Sequence, residues 1–137
     1  MGQRVKTAQA TMTKQCYTFI GEQRSERAKQ LGLVWEDGGL AAKQLFDALQ
    51  ICGIDPGQQH YFNVYMDDGS ENKLLKRILK TEKIKRFPPV AMGEKAHQAL
   101  VSWGIPHLRI IHPAARGRIR RKDRYAAHVQ SVLEGRQ

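Results

Sequence analysis

The sequence predicts an α/β protein, a three-layer α/β/α arrangement around a central four-stranded, mostly parallel sheet. Three observations carry that expectation. Short runs rich in β-branched and aromatic residues alternate along the chain with amphipathic stretches of helical period. Gly, Pro and Asp clusters separate the two kinds of segment. Strands that alternate with helices imply right-handed crossovers, which cover both faces of a parallel sheet. The chain of 137 residues suits one domain with a buried core, and it shows no internal repeat or low-complexity tract.

Taken in order, residues 1–15 are polar and aperiodic, with Arg4, Lys6 and Lys14, and read as a flexible basic N-terminal arm before a single domain over 16–137. Cys16-Tyr17-Thr18-Phe19-Ile20 is the first strand, ended by Gly21. Residues 22–38 are irregular apart from Leu31, Leu33, Val34 and Trp35, and Asp37-Gly38-Gly39 closes them. Ala41, Leu45, Ala48, Leu49 and Cys52 recur at helical spacing, which predicts a helix over 40–52 stopped by Gly53. After a turn at Ile54-Asp55-Pro56-Gly57, His60 to Tyr65 form the second strand. A helix is expected over 71–85, with Leu74, Leu75, Ile78 and Leu79 on one face. Lys73, Lys76, Arg77 and Lys80 lie opposite, the ordinary composition of a surface face. Val90-Ala91-Met92 is a short strand, 94–103 a helix ended by Gly104, and 107–111 the fourth strand. The last helix covers about 121–133, with Tyr125, Val129, Val132 and Leu133 turned inward.

Twenty-three Lys and Arg against 13 acidic residues give a formal charge of +10, so the chain attracts polyanions. Charge alone leaves DNA, RNA, nucleotides and anionic membranes open. The excess is localised: Arg116, Arg118, Arg120, Arg121, Lys122 and Arg124 crowd one short stretch and look like a phosphate clamp. The plainer alternative is a solvated helix start. Two cysteines, Cys16 and Cys52, sit in apolar surroundings and read as small buried hydrophobes, not ligands. His60, His97, His107 and His128 lack metal-ligand spacing and read as surface or satisfied histidines. No apolar run approaches a membrane span, and no secretory leader is evident, so a cytoplasmic, monomeric protein without metal or cofactor is expected.

Ligands of parallel α/β sheets bind beyond the carboxyl ends of the strands. That rule gathers Gly21-Glu22-Gln23 after the first strand, Asn63 in the second, and His112-Pro113 after the fourth. From about Tyr17 to Leu133 these segments, in this order, resemble the uracil-DNA glycosylase superfamily. Phe19-Ile20-Gly21-Glu22 is similar to its first motif, an apolar strand followed by Gly-Glu. Phe62-Asn63-Val64 is similar to the strand whose Asn reads the base edge, and Val90-Ala91-Met92-Gly93 with Ala96 to the family's Val-Ala-Leu-Gly strand and helix start. Ile111-His112-Pro113-Ala114 resembles the second catalytic motif, His-Pro followed by small residues. Trp35 lies where many members carry an aromatic that stacks on the extruded base.

The resemblance implies base excision from DNA, single- or double-stranded. Breaking an N-glycosidic bond places positive charge on the sugar and negative charge on the departing base. His112 would stabilise the base anion through a preorganised hydrogen bond. Glu22 would orient water or stabilise the sugar cation. Asn63 and Gln23 would contact the base, with Trp35 or Phe62 as stacking platform. Each has a plainer reading: His112 as a strand-end residue, Glu22 as a turn carboxylate, Asn63 as a satisfied buried amide, Trp35 as core. The chain departs from the family at Arg24 and Ser25, where Pro and Gly are usual, and Gln23 stands where the most active members use Asp. The iron–sulfur cysteines of some branches are missing, and the shorter chain implies reduced DNA-binding loops. Two other readings follow: a degenerate fold that only binds DNA, and an N-glycosidase acting on free nucleotides.

Overall fold

A computed structural model of the chain describes residues 16–23, 40–81, 86–114, 119 and 121–134. Its strands are β1 (Thr18–Gly21), β2 (His60–Asn63), β3 (Pro89–Met92) and β4 (Leu108–Ile110). Its helices are α1 (Leu40–Ile51), α2 (Lys73–Ile78), α3 (Glu94–Ser102) and α4 (Lys122–Leu133), with a 3₁₀ turn at Pro56–Gln58. The strands form one sheet in the order β2-β1-β3-β4, and every pairing is parallel. The sheet expected to be mostly parallel is therefore wholly so.

The central strands β1 and β3 are buried along their whole length, which explains their unbroken small and apolar sequences. Alternation sorts their side chains between two cores. Phe19, Val90, Met92 and Ile110 face α1 and α4, meeting Leu45, Leu49, Cys52, Tyr125 and Val129. Ile20 and Ala91 face α2 and α3, meeting Leu75, Leu79, Ala96, Leu100 and Trp103. Burying each large aliphatic side chain contributes ~1.5–3 kcal/mol, so both faces are needed to hold the layers. Cys52 is buried as expected, and its thiol donates to the Ala126 carbonyl at 3.6 Å, while Cys16 is only half-buried.

The glycine stops behave as the sequence implies. After α1, Gly53 N–H donates to Gln50 O and Ile54 N–H to Leu49 O; after α3, Gly104 N–H donates to Val101 O and Ile105 N–H to Leu100 O. Each pair closes its helix in the glycine-ended manner. The expected helix over 71–85 is corrected. Helix α2 starts only at Lys73, because Asn72 caps it by accepting from Leu75 N–H. It ends at Ile78, where Lys80 N–H and Thr81 N–H turn back to Arg77 O and Ile78 O. Residues 82–85, and the arm over 1–15, lie outside the described residues. Among the described residues no helix is long and apolar enough to cross a membrane.

Candidate functional site

The topology fixes where a ligand meets this sheet. From β1 the chain crosses on the α1 face to β2, at one edge. From β3 it crosses on the α2–α3 face to β4, at the other edge. The two crossovers leave neighbouring strands in opposite directions, and at such a switch point ligands bind beyond the carboxyl ends of the strands, here β1 and β3. Glu22 follows β1, Gly93 follows β3, and His112 lies two residues past β4.

Packing against Gly93 positions His112. A Cβ built on Gly93 would lie 3.2 Å from His112 Cβ and 3.5 Å from Cδ2, so the glycine backbone is the wall on which the imidazole rests. Gly93 has φ 96° and ψ 172°, a region open in practice to glycine alone. Its N–H donates to Ile110 O at 2.9 Å, which ties the end of β3 to the end of β4. Beyond the ring, Pro113 is buried, and Ala114 N–H donates to His112 Nδ1 at 3.0 Å. An Nδ1 that accepts leaves the proton of the neutral imidazole on Nε2. Among the described residues Nε2 has no hydrogen-bond partner.

Burial pushes the His112 pKa below its ordinary value, and the Glu22 carboxylate pulls in the opposite direction. The net direction is downward, so the ring is neutral at neutral pH. The two candidate catalytic residues, which are distant in sequence, are therefore close enough to feel each other's charge. The Glu22 carbonyl accepts from Tyr65 N–H at 2.9 Å, extending the β1–β2 pairing past the strand ends. Its carboxylate is partly exposed and faces the Lys95 ammonium at 3.8 Å, from the first turn of α3. The sequence alone does not mark Lys95 or Gly93 as site residues. Gly93 follows a strand in a recognisable motif, but Lys95 is one surface lysine among many.

The remaining candidates are distributed as follows. Asn63 pairs in register with Gly21, beside Glu22, and its carbonyl accepts from the Asn72 side chain at 3.0 Å. Phe62 is partly buried against the core on the α2–α3 side. The Gln23 side-chain amide donates to Met66 O at 2.9 Å and Asp67 O at 3.2 Å, so its N–H groups fasten the loop after β2 and only its oxygen remains to contact a ligand. Trp35, Arg24 and Ser25 lie outside the described residues, as do Arg116, Arg118 and Arg120. Of the other clamp cations, Arg121 faces Asp123 at 3.6 Å and Lys122 faces Asp47 at 3.4 Å. Arg124 is exposed.

The other histidines are engaged locally. His107 Nδ1 lies 2.7 Å from Ile105 O and must carry a proton there, so its Nε2 accepts from His97 Nδ1 at 2.9 Å. His60 stacks on Phe87 with ring centroids 4.1 Å apart. Among the described residues no three His, Cys, Asp or Glu side chains converge as a metal site. A shallow cleft of about 230 Å³ lies next to Lys95, lined also by Tyr65, Glu71, Gln98 and Trp103. Glu71 accepts from Trp103 Nε1–H at 3.2 Å and pairs with Lys76 at 3.5 Å, so the charges on that wall are already matched. No family model matches the chain, and no curated protein is significantly similar to it.

Proposed function

We propose that the chain is a monofunctional DNA N-glycosylase of the uracil-DNA glycosylase type, releasing uracil or another deaminated or modified base. One observation carries the reading: a neutral imidazole, with its proton directed to Nε2 by the Ala114 amide, lies past the strand ends within electrostatic reach of the Glu22 carboxylate. Such a pair suits a reaction that separates charge across one bond. As the C1′–N bond breaks, its electron pair passes to the base, and His112 Nε2–H donates to the base oxygen that gains negative charge. Water adds to C1′ on the other side. Glu22 stabilises the developing sugar cation and orients that water, whose proton it accepts or hands to solvent. The products are a free base and an abasic deoxyribose.

Asn63 would read the edge of the base, Gln23 would contact it through its oxygen, and Phe62 or Trp35 would stack on it. Lys95, whose ammonium lies 3.8 Å from the Glu22 carboxylate, can turn toward a backbone phosphate on binding. The basic stretch from Arg116 to Arg124 would grip the DNA strand. The test is base release from oligonucleotides carrying uracil, hydroxymethyluracil, hypoxanthine, xanthine or mismatched thymine. Wild type should leave abasic sites on at least one, and His112→Ala and Glu22→Ala should each slow release while affinity changes little. Binding without release by wild type on every substrate would instead identify a DNA-binding module, the reading that Arg24 and Ser25 in the first motif favour.

A further inference from the structure

We infer that Tyr125 and His128, on the last helix, are positioning residues that hold His112 in place by gripping the backbone of Ile111 through its N–H and its carbonyl. Ile111 is the first residue past β4, where the sheet no longer supplies hydrogen bonds to fix the backbone. Its two polar groups are nevertheless engaged. Ile111 N–H donates to His128 Nε2 at 2.9 Å, and Tyr125 O–H donates to Ile111 O at 2.6 Å. Tyr125 and His128 lie one turn apart on α4, so one helix face presents both, with ring centroids 6.1 Å apart.

The chemistry of each partner suits a fixed clamp. The Tyr125 ring is 1% exposed and belongs to the core between α4 and the sheet, so the hydroxyl is carried on an immobile support. Burial raises its pKa, which keeps the phenol protonated and able to donate. His128 must be neutral to accept at Nε2, and burial lowers its pKa in that sense. Ile111 is itself 39% exposed and contributes little burial of its own. The segment therefore owes its course to this grip on one side and to the Gly93 wall on the other. The Ala114 amide then sets the ring's tautomer. A hydrogen-bonding group on a strand end acts with full effect only if the strand end is held, since a displacement of about 1 Å can cost on the order of a hundredfold in rate.

The inference rests on the reading of His112 as the group that receives the base anion, and two readouts separate the two ideas. The first is the imidazole nitrogen spectrum of His112 in selectively labelled protein, which needs no substrate. Wild type should show one tautomer with the proton on Nε2. Tyr125→Phe and His128→Leu should each drift toward an average of the two tautomers, and His128→Gln, whose side-chain oxygen can accept from Ile111 N–H, should restore the wild-type pattern. The second is base release, for which Tyr125→Phe and His128→Leu should lose roughly tenfold to a hundredfold in kcat with little change in KM, again with rescue by His128→Gln. An unaltered His112 spectrum in folded Tyr125→Phe and His128→Leu overturns the clamp. A disturbed spectrum in a protein whose wild type releases no base leaves the clamp standing and removes the glycosylase reading.

Discussion

At the scale of single residues, His112 and Gly93 form a unit whose properties can be measured separately from any substrate. Adding a methyl group at Gly93 acts twice. The backbone there sits in a region that costs a non-glycine residue about 1–3 kcal/mol, and the new Cβ presses on His112. Gly93→Ala should therefore lower stability by about that amount in urea denaturation and slow base release as well; stability within error of wild type would mean that the ring does not rest on this glycine. Protonation gives a second measure. His112 and His128 both titrate below their ordinary value when folded, because burial disfavours the cation. The unfolded chain then takes up their protons at higher pH than the native protein. Their contribution to stability is complete above the ordinary histidine pKa of about 6.5 and declines as pH falls through it toward the native values, with no further loss below them. Urea unfolding between pH 8 and pH 5 should show this decline, and it should shrink in His112→Gln.

At the scale of elements, α2 shows how a local choice overrides a pattern. Its apolar spacing fits a helix over 71–85, yet among the described residues of that stretch only Lys73–Ile78 is helical. Asn72 accepts from Leu75 N–H and donates to Asn63 O, so it is at once a cap and a brace for the end of β2. Glu71 is drawn off into contact with Trp103, a residue remote in sequence. Asn72→Ala should cost about 1 kcal/mol through the lost cap, with more from the unbraced β2 carbonyl, measurable by thermal unfolding. Loss of less than a few tenths would show that the cap is solvated and idle. The strands, α1, α3 and α4 were legible because their signals are local: apolar runs, helical spacing, and glycines at Gly53 and Gly104. The proximity of Glu22 and His112 was legible because the rule for parallel sheets needs only the places where strands end. The grip of Tyr125 and His128 on Ile111 was not, since Tyr125 read as one more core aromatic and His128 as one more satisfied histidine. Only the packing of α4 against β4 brings them to that residue.

At the scale of the whole molecule, the question is how the charge of +10 is used. Six cations in the stretch from Arg116 to Arg124 suggested a clamp because like charges so close repel without an anionic partner. The structure supplies partners for two of them from within the chain, Asp123 for Arg121 and Asp47 for Lys122. Exposed pairs of this kind contribute only ~0–1 kcal/mol, so a phosphate can displace the acid at little cost, but the exchange reduces what each cation gains. On the proposed reading, Arg121 and Lys122 should therefore each add less to DNA binding than a cation with no acid to leave. The salt dependence of affinity distinguishes these roles: each phosphate neutralised adds about 0.9 to the logarithmic slope on duplex DNA and about 0.7 on a single strand. Arg118→Ala with Arg120→Ala should weaken binding and flatten the slope by up to about two such increments. Asp47→Asn frees Lys122, and should leave the slope unchanged or steepen it while tightening binding modestly. Should the double variant keep its affinity and slope, the basic stretch is a solvated helix approach, and the DNA-binding surface must be sought around Lys95 and the cationic face of α2.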